Sequence, residues 1–186
     1  MKRKFEGQYS DYLKVQLERA QKKSSSRFDT GRLHFDFVNA LIKMSRVPKI
    51  ICCMGIRNGA EYFYFKKAWP KITIYGVDLL KSVKEVGDNC FAYDFNNLPK
   101  EWSKKFDLVY SNSIDHSYNI LNTIDEWKRV LKHGGWLMIE FSAHKPIGAD
   151  IFQFTEDDMK FLFSNGSFIR HIGNGYNNFV YLTQKI

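Results

Sequence analysis

Along residues 9–23 (YSDYLKVQLERAQKK), Tyr9, Tyr12, Leu13, Gln16, Leu17 and Ala20 recur at helical spacing with Lys and Arg between them, which predicts an amphipathic helix. Ser24, Ser25 and Ser26 interrupt that pattern. Residues 31–45 resume it, with Leu33, Phe37, Val38, Leu41, Ile42 and Met44 forming a broad apolar face until Pro48 ends the helical region. The period then changes. Residues 49–54 (KIICCM) are a short apolar run of the kind found in parallel strands covered on both faces. Residues 60–69 read as a helix, 72–77 (ITIYGV) as a second strand, 89–93 as a weak third and 106–111 (FDLVYS) as a clear fourth. The stretch between Asp78 and Asn89 is short for a crossover helix, which predicts a single turn or irregular chain. A helix over 118–131 is expected to stop at Gly134 and Gly135, followed by a fifth strand over 136–141. Thr155 is placed to cap a helix reaching Phe163, and residues 167–172 and 178–183 around Gly173-Asn174-Gly175 predict a closing hairpin. Strands alternating with helices imply a doubly wound α/β sheet in three layers.

Composition changes this picture little. The 186 residues are 44% hydrophobic and 26% charged, ordinary for one globular domain and unlike disordered or collagenous chains. No apolar run approaches the roughly 20 residues needed to span a bilayer, and the basic start MKRKFEGQYSDY lacks the apolar stretch of a secretory signal. Cys52, Cys53 and Cys90 fit neither a disulfide framework nor a zinc site, so a reducing, cytoplasmic setting is expected. The net charge of +8 is concentrated in residues 1–50, where twelve Lys and Arg face five Asp and Glu. Such an arm suits an anionic substrate, nucleic acid or a membrane surface, and equally a solvated helical face.

Ligands on doubly wound sheets sit at the carboxyl ends of the strands, so the residues following each strand carry the chemistry. After the first strand comes Met54-Gly55-Ile56-Arg57-Asn58-Gly59-Ala60-Glu61, where Gly55 permits a tight turn and close ligand approach and Gly59 close packing at a helix start. By itself this is also what an ordinary strand-to-helix turn looks like. After the second strand, Asp78 lies 23 residues beyond Gly55, near the distance at which an acid meets a ribose, though a helix cap or loop acid would read the same. Asp94-Phe95 follows the third strand, offering an acceptor for an adenine amine and an aromatic face, or simply an Asx turn before Pro99. After the fourth, Asn112, Ser113, Asp115 and His116 crowd where a polar ligand end would lie; His116 is equally a residue of a helix start.

These four stations resemble the class I S-adenosylmethionine-dependent methyltransferases over roughly residues 49–141. The strongest part is FDLVYSNSIDHSYNILNTIDEWKRVLKHGGWLMIE, with YGVDLL similar to that superfamily's ribose-binding station and YDFNNLP to its adenine-binding station. The resemblance implies a Rossmann-like sheet of seven strands with an antiparallel last strand, which the hairpin suits, and S-adenosylmethionine as cofactor. It assigns Gly55, Arg57, Asn58, Gly59, Glu61, Asp78, Leu79, Asp94, Phe95, Asn112 and Ser113 to cofactor binding. Two departures stand out: Cys53 replaces the usual acid at the start of the glycine loop, and Arg57 the usual middle glycine. Either Glu61 takes over the lost contact or the cofactor binds weakly.

The implied reaction is methyl transfer to oxygen or nitrogen of a small-molecule acceptor, with a sugar or lipid intermediate within that class. His116 is the candidate base, because an imidazole titrates in the useful range, and Asp115 is the second. No spacing of clustered oxygen ligands argues for a metal. Residues 1–46 form a helical segment ahead of the α/β domain at 47–186, either capping the substrate pocket or packed on the sheet without substrate contact. The alternatives are a non-catalytic domain of the same fold, suggested by Cys53, Arg57 and the basic arm, and a nicotinamide-dependent oxidoreductase, which a parallel final strand would support. Nucleic acid is the less favoured partner, because the basic residues are scattered along a helical arm.

Overall fold

A computed structural model describes residues 2–3, 5–23, 47–142, 150–163, 167–173 and 176–185. The helix expected over 31–45, the serine break before it and the tip of the closing hairpin at Asn174 and Gly175 lie outside the described residues.

Seven strands join in one sheet, in the order β4-β3-β2-β5-β6-β9-β8. They are β2 (Ile50–Met54), β3 (Thr73–Asp78), β4 (Cys90–Ala92), β5 (Phe106–Ser111), β6 (Leu131–Ser142), β8 (Ser167–Gly173) and β9 (Tyr176–Gln184). The five from β2 to β6 pair parallel, β9 runs antiparallel to β6, and β8 antiparallel to β9. The antiparallel last strand is the expected one. Helices α2 (Ala60–Ala68) and α3 (Ile120–Val130) cross over between parallel strands, and α4 (Glu156–Leu162) precedes the hairpin. The short β3–β4 connection holds only a 3-10 turn, Lys81–Glu85, as its length required. An additional pair, β1 (Lys2–Arg3) with β7 (Phe152–Gln153), is antiparallel and has no counterpart in the sequence pattern. Helix α1 spans Tyr9–Lys23 as its period predicts. No described helix is long and apolar enough to cross a membrane.

The parallel strands are covered on both faces, which is why KIICCM carries no polar alternation. Cys52 joins the core on one face with Val109 and Trp127, and Cys53 the core on the other with Phe65 and Tyr110. Trp127 is fully buried; burying an aromatic of that size contributes on the order of 4–6 kcal/mol before the entropy of ordering it.

Two boundaries differ from expectation. Helix α3 starts after Asn119, whose side chain accepts from the Asn122 amide at 3.3 Å, so residues 118 and 119 precede it. It ends at Val130, before the two glycines, because the Arg129 and Val130 carbonyls accept from the Lys104 and Lys105 amides at 3.0 and 2.9 Å. Leu131 already pairs with Phe106, and Gly134, at φ +72°, lies within the irregularity that follows in β6. Thr155 caps α4 as expected, exchanging hydrogen bonds with Asp158 in a capping box.

The order of the parallel strands reverses between β2 and β5, and the switch point lies at their carboxyl ends. Asp78 closes β3, and Gly55, Asp94 and Asn112 follow β2, β4 and β5, so all four stand at that one edge.

Candidate active site

The loop after β2 is fastened to its neighbour: the Gly55 and Ile56 amides both donate to the Val77 carbonyl, at 2.7 and 3.2 Å. Gly55 has φ +79°, and a Cβ there would sit 2.7 Å from the Ser113 hydroxyl oxygen. Gly59 has φ +81°, and its Cβ would come 2.3 Å from a Val86 methyl. Neither position accepts a side chain without displacing a neighbour. Arg57 adopts φ +44°, the left-handed backbone its usual glycine would favour. Its amide donates to Asp78 Oδ2 at 2.8 Å, and the Leu80 amide to Asp78 Oδ1 at 3.0 Å. Asp78 therefore holds the loop as well as facing outward from it.

Asp94 forms the Asx turn: Oδ1 accepts from the Asn96 amide at 2.8 Å and from Asn96 Nδ2 at 2.6 Å, and Oδ2 accepts from the Tyr9 hydroxyl of α1. Burial lifts its carboxyl above the ordinary range against the opposing Asn96 bonds. Phe95 packs edge-on to Trp127, with centroids 5.6 Å apart, and Trp127 Nε1 donates to the Phe95 carbonyl at 3.0 Å. Asn96 accepts from Thr123 Oγ1 at 2.6 Å, so α3 braces this station from below.

At the end of β5, Ser111 Oγ donates to the Met54 carbonyl at 3.1 Å and accepts from the Ser113 amide at 3.0 Å, joining the two strand ends across the switch point. Asn112 Nδ2 donates to Glu61 Oε1 at 2.7 Å. Glu61 is only 4% exposed. Burial raises its carboxyl above the ordinary range, with the Asn112 bond and the Arg57 charge opposing. A buried acid, Glu61 of α2, thus stands close enough to Cys53 for its charge to help raise that thiol's pKa.

Asp115 and His116 lie in a 3-10 turn, Ile114–His116. The Asp115 carbonyl accepts from the Ile151 amide at 2.8 Å, which brings Asp150 alongside. One ligating atom each of Asp115, His116 and Asp150 lie within 4.8 Å of one another. No spacing in the sequence pointed to this grouping, because Asp150 is 34 residues beyond His116 and arrives only through the tertiary contact.

A cavity of about 70 Å³ opens at this edge. Of the residues singled out from sequence, Gly55, Arg57, Asp78, Leu79, Phe95, Ser113 and His116 line it, opposite Tyr12, Gln16, Arg19 and Ala20 of α1. Asn58, Gly59, Glu61, Asp94, Asn112 and Asp115 are not on its wall. Glu61 and Asn112 are turned toward each other, Asp94 toward Tyr9, and Gly59 starts α2. Small-molecule sites ordinarily offer ~300 Å³ or more, and with α1 on its wall this cavity falls well below that. The stripe Tyr12, Gln16 and Ala20 was visible as a helical face, and a buried Gln at 8% exposure within it is the signal that this face meets something polar. Tyr12 accepts from Asn96 Nδ2 at 3.0 Å, and burial pushes its hydroxyl pKa up to about 12.

Residues 52–139, the stretch carrying the glycine loop and all four stations, match the family model of a methyltransferase domain. That match supports the resemblance to the class I S-adenosylmethionine-dependent methyltransferases. Solved structures share the fold of the methyltransferase domain. A protein from Pyrococcus horikoshii OT3 superposes with a TM-score of 0.68 at 14% identity, over 88% of this chain and 93% of its own. The Burkholderia thailandensis 1,6-didemethyltoxoflavin-N1-methyltransferase, with 1,6-didemethyltoxoflavin and S-adenosylhomocysteine bound, gives 0.68 at 14% identity, over 95% and 86%. The plantazolicin methyltransferase, in complex with a monoazolic desmethyl analogue and S-adenosylhomocysteine, gives 0.66 at 12%, over 95% and 98%. No curated protein matches the chain by sequence. Within this stretch, Asp78 offers a charged acceptor and Phe95 an apolar wall, and His116 lines the same cavity.

Proposed function

We propose that this chain transfers the methyl group of S-adenosylmethionine to oxygen or nitrogen of a small-molecule acceptor. The observation that carries the reading is the convergence of Gly55, Asp78, Phe95, Ser113 and His116 on one cavity at the switch point of a methyltransferase domain. Bound there, the cofactor supplies an electrophilic sulfonium methyl. Gly55, Arg57, Asn58 and Gly59 present the loop backbone to it, with the Cβ side of Gly55 closed by Ser113. Asp78 and Leu79 receive the ribose, the carboxylate accepting from its hydroxyls. Asp94 and Phe95 take the adenine, which requires the Tyr9 hydroxyl to give up Asp94. Glu61 holds the methionyl ammonium from behind the loop in place of Cys53, oriented by Asn112, and Ser113 closes that end. His116 and Asp115 stand on the acceptor side as the groups that deal with its proton.

Residues 1–46 act as a cap in this scheme, and α1 closing over the cavity from the Tyr12, Gln16 and Ala20 face supports it. The antiparallel β9 disfavours a nicotinamide-dependent oxidoreductase. Three free, buried cysteines fit a reducing compartment, and we assign the cytoplasm. Calorimetric titration of the full chain with S-adenosylmethionine, S-adenosylhomocysteine and NAD tests the reading. One molecule of either sulfur compound per chain, and no NAD, is the expected result. Heat from NAD alone makes it an oxidoreductase; no heat from any of the three makes it a binding domain without cofactor.

A further inference from the structure

We propose that Asp115, His116 and Asp150 form a site for a divalent transition-metal ion on the acceptor wall, with coordination positions left open toward the cavity. The frame that presents them is built without the ion. Asp115 and His116 are held in their 3-10 turn by the buried Ile114, and the Ile151 amide bonded to the Asp115 carbonyl at 2.8 Å brings Asp150 in from the other side. Pairing of β7 with β1 fixes the chain just beyond. The three ligating atoms fall within 4.8 Å of one another, a spread that one ion can gather with small side-chain rotations.

The separation between His116 Nε2 and Asp150 Oδ1 is 3.7 Å. That is longer than the hydrogen bond of a proton-sharing pair, which falls at about 2.7–3.2 Å. Two ligands bound at about 2.1 Å to a tetrahedral ion stand about 3.4 Å apart, close to what is observed. Charge argues the same way. The His116 and Asp150 side chains are 23% and 11% exposed, so an ion held between them keeps little of its water shell on that side and gains from the negative charge of the carboxylates. One imidazole with two carboxylates suits Mn²⁺ or Zn²⁺ better than Mg²⁺ or Ca²⁺, which prefer all-oxygen shells. His116 also lines the cavity, so an ion on its ring is open to whatever enters.

This inference rests on the methyl-transfer reading for its consequence and deepens it by naming the acceptor: an oxygen compound whose hydroxyl meets the ion. The dication stabilises the oxyanion, so the hydroxyl proton leaves to water. An oxygen lone pair then forms the bond to the methyl carbon as the carbon–sulfur pair returns to sulfur, leaving a neutral thioether. His116 and Asp115 serve in that case as ligands, and neither takes the acceptor's proton.

The test is titration of the chelator-treated full chain with MnCl₂, followed by calorimetry and by loss of the free-ion electron paramagnetic resonance signal, with ZnCl₂ in a parallel calorimetric run. The expected result is one ion per chain, with affinity lowered at least about tenfold in Asp150→Asn and in His116→Ala and unchanged in Asp157→Asn, whose carboxylate is 93% exposed on α4. Thermal melts certify that each variant is folded, and Asp150→Glu, which keeps a carboxylate, is expected to retain part of the binding. Absence of binding by both ions up to millimolar concentration overturns the proposal, as does binding that Asp150→Asn and His116→Ala leave unchanged. Titration of the same samples with S-adenosylmethionine separates the two claims. Cofactor bound without metal sinks the metal site alone; metal bound without cofactor leaves the site standing and removes the methyl-transfer reading.

Discussion

Asp78 carries two loads, and replacing it separates them. Its carboxylate accepts from the Arg57 amide at 2.8 Å and from the Leu80 amide at 3.0 Å, and it faces the cavity at 8% exposure. A hydrogen bond to a charged group contributes about 1.5–3 kcal/mol. In Asp78→Asn the remaining carbonyl oxygen keeps one amide, while the new NH₂ faces the other, so about one such bond is lost. In a chain of this length 1 kcal/mol moves Tm by about 2–4 °C, which gives a fall of roughly 3–12 °C. Asp78→Ala loses both bonds and falls further. If ribose hydroxyls donate to the same carboxylate, Asp78→Ala also weakens S-adenosylmethionine binding about 10- to 100-fold, since each 1.4 kcal/mol is tenfold. The assay is calorimetric titration well below each variant's Tm, with stoichiometry reporting the folded fraction. Lowered Tm with unchanged affinity would refute the ribose assignment and leave Asp78 as the anchor of the glycine loop only.

Glu61→Gln tests the buried acid through pH. Burial raises the folded-state pKa of Glu61 above its ordinary value of 4.5, so ionisation destabilises the fold, absent below that value and growing as pH rises toward the folded pKa. The Gln variant is expected to match wild type in Tm near pH 4 and exceed it at pH 7–8, while binding S-adenosylmethionine less tightly; a difference in Tm that is flat with pH contradicts this. Tyr9→Phe removes the α1 hydroxyl that donates to Asp94. Cofactor affinity is expected to rise up to about tenfold, one neutral-to-charged hydrogen bond being about that size; a loss of affinity would instead make Tyr9 part of the binding surface. Burial holds the Cys52 and Cys53 thiols well above their ordinary pKa, and that of Cys90 at about 11. Native protein is therefore expected to react slowly with an aromatic disulfide reagent, with three thiols appearing on denaturation; rapid native labelling of Cys52 or Cys53 counts against the two-sided burial of β2.

What was legible in the sequence follows the range of the interactions. Helix α1 and strand β5 begin and end where their periods say, because a face of spaced apolar residues and a short buried run are local signals. The end of α3 falls one residue before the expected one, but its cause was not legible: its last carbonyls are captured by the Lys104 and Lys105 amides, more than 20 residues earlier in the chain. The cofactor side of the site behaves like α1 and β5. Gly55 follows β2 directly, Asp78 closes β3 and Phe95 comes three residues after β4, and parallel pairing carries them to one edge whatever the remaining chain does.

The acceptor side behaves like the end of α3. Tyr12, Gln16, Arg19 and Ala20 reach the cavity from a helix outside the alternating strands and helices. Asp150 reaches His116 only because the chain between β6 and α4 bonds to the Asp115 carbonyl and pairs with β1. Two tyrosines make the connection between the sides: Tyr9 donates to Asp94 and Tyr12 accepts from Asn96, so the segment that shapes the proposed acceptor wall is fastened to the proposed adenine station. That coupling has a direction. A cofactor that claims Asp94 releases Tyr9, and any shift of α1 that follows redraws the wall formed by Gln16 and Arg19. Acceptor binding is then expected to be ordered, with the acceptor site reaching its final shape only after the cofactor is in place. Acceptor affinity measured with and without S-adenosylhomocysteine reads that order directly, and equal affinities in both conditions would mean that α1 stands still.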